Sequence, residues 1–326
     1  MCKAIRVHEY GGADVLQWED VDVPEPGPGE IQVRHTAMGL NFIDVYMRTG
    51  LYPLPALPSG IGLEGSGFVA EVGEAVTDLE IGDRVAYASP PPGAYAELRN
   101  IEADRVVKIP DSINDKTAAA MMLQGMTAQY LLRQTYEVQP GDTILIHAAA
   151  GGVGLIVCQW AKYLGATVIG TVGSPEKAEL AKAHGCDHAV LYREENFKDR
   201  VQDITNGEGV AVVYDSIGKD TFMDSLGCLQ MRGTMVTYGN ASGPVDPFEP
   251  GILGKMGSLY VTRPSLFNYA HNKDSITAMA EELFDVVSGG HVKIEIQQEY
   301  LLSNVAQAHK DLEARKTTGS TILLPG

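Results

Sequence analysis

Between Asp142 and Gly165 the chain reads DTILIHAAAGGVGLIVCQWAKYLG. An apolar run, Thr143 to Ala150, follows the turn signal Pro140-Gly141-Asp142. A run this short that opens β-rich predicts a buried strand of a parallel sheet. Gly151, Gly152 and Gly154 come next, and then Leu155, Ile156, Gln159, Trp160, Tyr163 and Leu164 recur at helical spacing until Gly165 stops the helix. Strand, glycine turn and helix together are the setting in which a glycine motif binds phosphate. The glycines admit close backbone approach, and the helix N-terminus offers unpaired N–H groups with a partial positive charge. Ala148 stands where the first glycine of the common G-x-G-x-x-G pattern would be, giving A-x-x-G-x-x-G through Gly151 and Gly154. A glycine turn alone has a purely structural reading. Here the flanks agree, and a second strand follows at Thr167 to Val172.

The remainder of the chain supports an α/β protein of two domains. Its 326 residues exceed the usual size of one domain. The first 110 residues carry short strand candidates at Lys3 to His8, Leu16 to Val23, Glu30 to Met38, Gly67 to Val72, Arg84 to Ala88 and Ala94 to Leu98. Turn signals separate them, notably Gly11-Gly12, Pro24 to Gly29, Val72-Gly73 and Ile81-Gly82-Asp83, which predicts a barrel-like β domain. Asn41 to Arg48 reads as a short helix, followed by a loop to Gly60 with three prolines. From Asn114 helical faces appear. Strands and helices then alternate: strands at Thr143 to Ala149, Thr167 to Val172, Ala189 to Leu191, Val210 to Asp215 and Thr234 to Tyr238, helices at Gly154 to Leu164, Pro175 to His184, Phe197 to Thr205 and Thr221 to Leu229. That order predicts a doubly wound parallel sheet. Gly257 to Arg263 adds a further strand, Asp274 to Ser288 a helix, and Val292 to Leu302 and Ser320 to Leu324 strands that return to the first domain.

Charge narrows the partners. With 25 basic and 42 acidic residues the net charge is −17, which disfavours nucleic acid and anionic membranes. The opening MCKAIRVHEYGG has no apolar core of a signal peptide, and no stretch reaches the length of a membrane span, so a cytosolic protein is expected. Cys2, Cys158, Cys186 and Cys228 are far apart, which suggests neither a disulfide framework nor a zinc cluster. His35 and His147 show no metal-ligand spacing, and His147, within a strand, reads as a core histidine.

The tip of the second strand selects the nucleotide. A carboxylate there would hold the ribose 2′-OH of NAD, whereas a hydroxyl or base suits the 2′-phosphate of NADP. The strand ends in Gly173-Ser174-Pro175-Glu176-Lys177, with Ser174 and Lys177 suited to a phosphate. Lys177 can also be read as a solvated lysine after a Pro at the first helical position, and Glu176 as an outward acid of that helix. NADPH is the expected cofactor.

These segments together resemble the zinc-independent quinone oxidoreductases, the zeta-crystallin-like branch of the medium-chain dehydrogenase/reductase superfamily. The resemblance spans essentially the whole chain, through NFIDVYMRTGLYP, GLEGSGFVAEVG, GDRVAY, LQGMTAQYLL, AAAGGVG, GSPEKAELAK, YDSIG and YGNASG. It implies a GroES-like β-barrel catalytic domain, residues 1–122 completed by 265–326, and a Rossmann NADP-binding domain, residues 123–264. It also implies a cleft where they meet, and a homodimer pairing through the strand near Gly257 to Arg263. Zinc-dependent members place a Cys where this chain has Asn41 and a His where it has Leu63 of Gly62-Leu63-Glu64, and they carry a cysteine-rich lobe absent here. No metal is therefore expected, and Glu64 reads as a buried structural acid.

By the same resemblance Asn41 and Tyr46 line the nicotinamide and substrate cleft as the candidate catalytic pair, and Thr127 lies near the nicotinamide. Gly151, Gly152, Val153 and Gly154 hold the pyrophosphate. Ser174 and Lys177 take the 2′-phosphate, with Gly173 at the same tip, and Tyr192 packs by the adenosine. Ser216, Ile217, Tyr238, Gly239 and Asn240 border ribose and nicotinamide, and Val261, Thr262 and Arg263 close the nicotinamide pocket. Tyr46 has an alternative reading as packing, Asn41 as a helix cap, and Arg263 as plain surface. The implied activity is NADPH-dependent quinone reduction. Reduction of the double bond of enals, enones or enoyl thioesters is the alternative, and a non-catalytic NADPH-binding protein a third.

Overall fold

A computed structural model describes residues 1–326. The chain divides into two units, Met1–Met126 with Tyr269–Ser288 and Ile294–Gly326, and Thr127–Asn268 with Gly289–Lys293.

The first unit begins with β1 (Cys2–Val7) and β2 (Leu16–Val21), an antiparallel pair that β4 (Ser59–Gly60) extends. Its organising strand is β3 (Glu30–Leu40), whose Ile31, Val33, Ala37 and Met38 are all fully buried. β5 (Glu64–Val72) pairs antiparallel along one edge of β3. The other edge is shared: β7 (Leu98–Glu102) takes residues 30–34, and β16 (Ser320–Leu324) takes 38–40. Register shifts at Gln32/Val33 and His35/Ala37 mark irregularities that bend the strand, so that one strand serves two directions of pairing. β6 (Arg84–Ala88) and β8 (Val107–Lys108) continue from β5. This is the GroES-like barrel. Between β3 and β4 lies α1 (Phe42–Thr49), and after β8 come α2 (Asp115–Ala119) and α3 (Met122–Tyr130). A π-helical turn, Leu131–Thr135, ends α3. The Leu131 carbonyl accepts both the Tyr136 N–H that closes this turn, at 3.3 Å, and the buried hydroxyl of Tyr214, at 3.1 Å.

In the second unit β9 (Thr143–Ile146), α4 (Gly152–Tyr163), β10 (Thr167–Val172), α5 (Pro175–Ala183), β11 (His188–Leu191) and α6 (Phe197–Ile204) alternate. β12 (Val210–Asp215), α7 (Phe222–Leu226), β13 (Leu229–Thr237), α8 (Gly251–Lys255) and β14 (Tyr260–Thr262) follow. The sheet order is β11-β10-β9-β12-β13-β14 with every neighbour parallel. This is the doubly wound order 3-2-1-4-5-6, whose crevice opens at the carboxyl ends between the first and fourth strands. Burial on both faces explains the near-continuous apolar strands: all six residues of β12 are buried. After α9 (Leu266–Tyr269) and α10 (Lys273–Ser288), the chain supplies β15 (Ile296–Leu301), α11 (Val305–Glu313) and β16 to the first unit. No helix is long and apolar enough to cross a membrane.

Several local expectations are corrected. Ala94 to Leu98 is not a strand. Ala94 and Tyr95 donate to Gly62 and Ile61, Ile5 donates to Tyr95, and Glu97 bonds both Lys3 and His35, so the segment serves three partners and no single ladder. The strand begins at Leu98 instead. β9 stops at Ile146, because the backbone turns through Ala148 with φ 55°. The helix expected through Leu229 ends at Leu226, and Leu229 opens β13. β15 starts at Ile296 rather than Val292, and α8 and α11 had no counterpart in the sequence reading.

Candidate active site

The turn after β9 is built for close approach. Gly151 N–H donates to the Ala148 carbonyl at 2.9 Å, closing the turn, and Gly151 is the N-cap of α4 with no side-chain cap. A Cβ on Gly154 would overlap the Ala148 carbonyl and stand 2.8 Å from Ala149 Cα, so only glycine fits. The first N–H groups of a helix have no intrahelical acceptor. Gly152, Val153 and Gly154 therefore present three N–H groups at the positive end of a 12-residue helix. The residues present fit a diphosphate.

The other strand ends complete this edge. Past β10, a Cβ on Gly173 would lie 2.9 Å from the Tyr192 hydroxyl, which brings Tyr192 against the Gly173 tip. Ser174 caps α5, accepting from Lys177 N–H at 3.4 Å. A hydrogen bond from the Ser174 hydroxyl also holds the exposed Glu176 carboxyl below its ordinary range. Past β12, both oxygens of the buried Asp215 organise the loop: Oδ1 accepts from Ile217 and Gly218 N–H at 2.7 and 3.1 Å, and Oδ2 from the Thr221 hydroxyl at 2.8 Å. Gly239 abuts Ser216, since a Cβ there would stand 2.8 Å from Ser216 Cα. Thr237, Asn240, Val261 and Arg263 line a hollow of about 240 Å³ with Phe222, Val245 and Phe248. The buried Thr237 hydroxyl oxygen has no partner there, an omission that a ligand could make good.

Asn41 and Tyr46 belong to the first unit. Asn41 is the N-cap of α1, as its capping alternative had it, and its own N–H donates to Asp44 Oδ2 at 2.9 Å. Its side chain is also engaged. Asn41 Nδ2 donates to Glu64 Oε2 at 2.7 Å, and Oδ1 accepts from Gln124 Nε2 at 3.1 Å. Glu64 Oε1 accepts from Leu123 N–H at 2.8 Å, and the Ser320 hydroxyl donates to Gln124 Oε1 at 2.7 Å. Burial pushes the Glu64 carboxyl up to about 8, opposed by the donors from Asn41 and Leu123. Burial likewise pushes Asp44 up to about 7, opposed by Tyr95 and Asn41. Tyr46 is nearly buried, with ring centroids 6.0 Å from Phe42 and 5.2 Å from Tyr52.

The second unit thus gathers Gly151 to Gly154, Gly173, Ser174, Lys177, Tyr192, Ser216, Ile217, Tyr238 to Asn240 and Val261 to Arg263 at the carboxyl edge of one parallel sheet. Thr127 is buried in the second half of α3, the part of that helix that belongs to the same unit, since the boundary falls between Met126 and Thr127. His147 is buried as expected, its nitrogens 2.9 Å from the hydroxyls of Thr171 and Ser225. Sequence reasoning missed Asp44, Tyr52, Gln124 and Asp215. Only the first left a signal, because N-x-x-D before an apolar run is the spacing of a capping box.

Residues 27–111 match the alcohol dehydrogenase GroES-like domain, and 152–285 match the family described as zinc-binding dehydrogenase. Along its full length the chain is 55% identical to a quinone oxidoreductase of Pseudomonas aeruginosa, of which it covers the whole. It is 47% identical to a 2-haloacrylate reductase of a Burkholderia species, covering 99% of that protein and all of this one. Among solved structures, that of Escherichia coli quinone oxidoreductase complexed with NADPH superposes with a TM-score of 0.97 at 49% identity, over 99% of this chain and all of the other. Barrel, doubly wound sheet and full-length identity agree, and the chain belongs to the zinc-independent quinone oxidoreductase family, the zeta-crystallin-like branch of the medium-chain dehydrogenase/reductases.

Proposed function

We propose that the chain is an NADPH-dependent quinone reductase. The observation that carries this reading is the carboxyl edge of the sheet, where three N–H groups at the start of α4 stand over a turn packed so closely that Gly154 admits no side chain. The tip of β10 beside it offers a hydroxyl and an ammonium and no strand-end carboxylate. NADPH when bound supplies a hydride. The N–H groups of Gly152, Val153 and Gly154 hold the diphosphate, Ser174 and Lys177 the 2′-phosphate, and Tyr192 packs on the adenosine. Ser216, Ile217, Tyr238, Gly239, Asn240, Val261, Thr262 and Arg263, with Thr127, border the ribose and nicotinamide. Asn41 orients the reacting groups through its amide. Tyr46 offers a ring face to a flat acceptor and, with Phe42 and Tyr52, excludes water. In this reading residues 1–122 with 265–326 serve the acceptor, and residues 123–264 the nucleotide.

A second reading, reduction of a double bond conjugated to a carbonyl, is favoured by the 47% identity to a 2-haloacrylate reductase. Both acceptors are electrophilic and take hydride once positioned. The exposed edge strand β14, with Tyr260 56% exposed and Met231 of β13 77% exposed, supports a homodimer paired through that edge. Four unpaired cysteines support a cytosolic location.

NADPH oxidation is measured with 1,4-benzoquinone, 9,10-phenanthrenequinone, an enone and crotonyl-CoA, with NADH in parallel. Turnover with the quinones and preference for NADPH is the expected result. Turnover with only the enone or thioester moves the activity to double-bond reduction. Tight NADPH binding without turnover of any acceptor sinks both.

A further inference from the structure

Asn41 is held from two sides by buried carboxyl groups. Asp44 takes its backbone N–H and Glu64 takes one of its side-chain N–H groups. The Glu64 carboxyl lies hard against the Gly39 backbone. A Cβ on Gly39 would overlap Oε2 and stand 2.6 Å from the Ala119 carbonyl, so Gly39 has given up its side chain to the carboxyl. Leu123 N–H can only donate, so Oε1 is committed as an acceptor, and Oε2 faces the Asn41 amide. At the far end Gln124 Nε2 donates to Asn41 Oδ1, and its own Oε1 accepts from Ser320. An amide has two N–H donors and two carbonyl lone pairs. The internal bonds engage the carbonyl oxygen, from Gln124 and in the capping box, and one N–H; the other N–H of Asn41 remains.

We propose that Glu64 is a positioning residue that sets which way the Asn41 amide faces, so that its remaining N–H is presented to the nicotinamide or the acceptor. The assignment rests on the proposed function for what that N–H meets. Glu64 touches no substrate. It acts through Asn41: as a carboxylate it has acceptor oxygens only, Oε1 is taken by Leu123 N–H, and Oε2 then admits one orientation of the Asn41 amide.

Glu64→Gln tests this by chemistry at constant shape. A glutamine has one acceptor oxygen, so its NH2 faces either Leu123 N–H, which costs that backbone bond, or the Asn41 NH2, which releases or flips Asn41; the fixed backbone donor of Leu123 favours the second. The double variant Asn41→Asp with Glu64→Gln restores every internal bond in reverse. The introduced glutamine accepts from Leu123 N–H and donates to the introduced carboxylate, which still accepts from Gln124. That pair no longer has an N–H to present. Three readouts are taken at pH 9.5, well above the value of about 8 to which burial pushes Glu64, so that its carboxylate is ionised in the wild type. They are melting temperature, NADPH affinity from nicotinamide fluorescence, and quinone turnover.

Glu64→Gln is expected to weaken NADPH binding or lower kcat/KM by roughly 5- to 10-fold, the worth of one oriented hydrogen bond. The double variant is expected to regain the wild-type melting temperature while binding and turnover stay low. Wild-type affinity and turnover in Glu64→Gln overturn the proposal, as does a double variant whose function returns with its stability. If Glu64→Gln does not fold, Glu64→Asp takes its place: it keeps both acceptor oxygens but draws them back from Asn41, and wild-type affinity and turnover in it overturn the proposal. Failure of the functional reading is distinct: it appears as absent turnover in the wild type, whereas the fluorescence comparison is independent of the acceptor.

Discussion

The hydroxyl of Tyr95 donates to Asp44 Oδ2 at 2.8 Å, with neither residue open to solvent. The direction of this bond is set further out. Arg48 has only donors, so its approach to His309 Nδ1 at 3.1 Å places the lone pair there and the proton on Nε2, which faces the Tyr95 oxygen at 3.4 Å. Burial holds His309 down to about 3, hence neutral, and pushes Asp44 up to about 7. The folded state therefore binds the Asp44 proton more tightly than the unfolded chain does. The stability this confers is complete below the unfolded value near 4 and is lost as pH rises through about 7. Asp44→Asn keeps an acceptor for Tyr95 and Asn41 but has no proton to lose. Its stability relative to wild type should rise between pH 5.5 and 8.5 by about 2 kcal/mol, as read by calorimetry. A pH-independent difference would show that Asp44 does not titrate in that window.

Arg48 is almost fully buried and forms a bidentate pair with Glu313 at 2.8 and 3.0 Å, while its Nε donates to the Gly11 carbonyl. Replacing the carboxylate leaves a buried guanidinium against a neutral partner. Glu313→Gln should lose about 1–3 kcal/mol in denaturant unfolding. Because Glu313 is itself 38% exposed, the loss should lie toward the lower end.

Lys177 and Ser174 carry the assignment of NADPH over NADH. Lys177→Ala should raise the Kd for NADPH by roughly 10- to 100-fold, the range of one charge-assisted hydrogen bond. Binding of NADH should change little. Fluorescence titration with both nucleotides separates this from a general loss of fold, and an equal loss for both would place Lys177 elsewhere than at the 2′-phosphate.

Much of the fold is legible in the sequence. β10, β12 and β16 fall where their apolar runs predict, at Thr167–Val172, Val210–Asp215 and Ser320–Leu324, because a short run bounded by turn residues has little freedom of register. Segments that bond to several partners are not legible. Gly93 to Glu97 has strand-like composition, yet its N–H and carbonyl groups are distributed over three stretches, and local sequence carries no record of that. The polar network behind Asn41 is hidden for a similar reason. Glu64, Gln124 and Ser320 meet only because β3, β5, α3 and β16 converge. Gln124 reaches Asn41 across 83 residues and Ser320 across 196, separations that no local pattern spans.

The glycine turn yields a paired prediction. Ala148 holds φ 55°, the left-handed region, which costs a non-glycine residue about 1–2 kcal/mol. Ala148→Gly removes that strain but loosens the unfolded chain by about 0.4–1 kcal/mol, so its net stability should be unchanged or slightly higher. Gly154→Ala acts on the same turn in the opposite sense. Its methyl group collides with the Ala148 carbonyl and with Ala149 Cα, both backbone, so the turn itself must move. Moving it displaces the N–H groups of Gly152 and Val153 from the phosphate position. NADPH affinity should fall by at least ~10-fold, about 1.4 kcal/mol, in Gly154→Ala. It should stay near wild type in Ala148→Gly. Equal affinity in both variants would mean that the α4 N-terminus does not hold the diphosphate, and the nucleotide assignment would have to be rebuilt from the β10 tip alone.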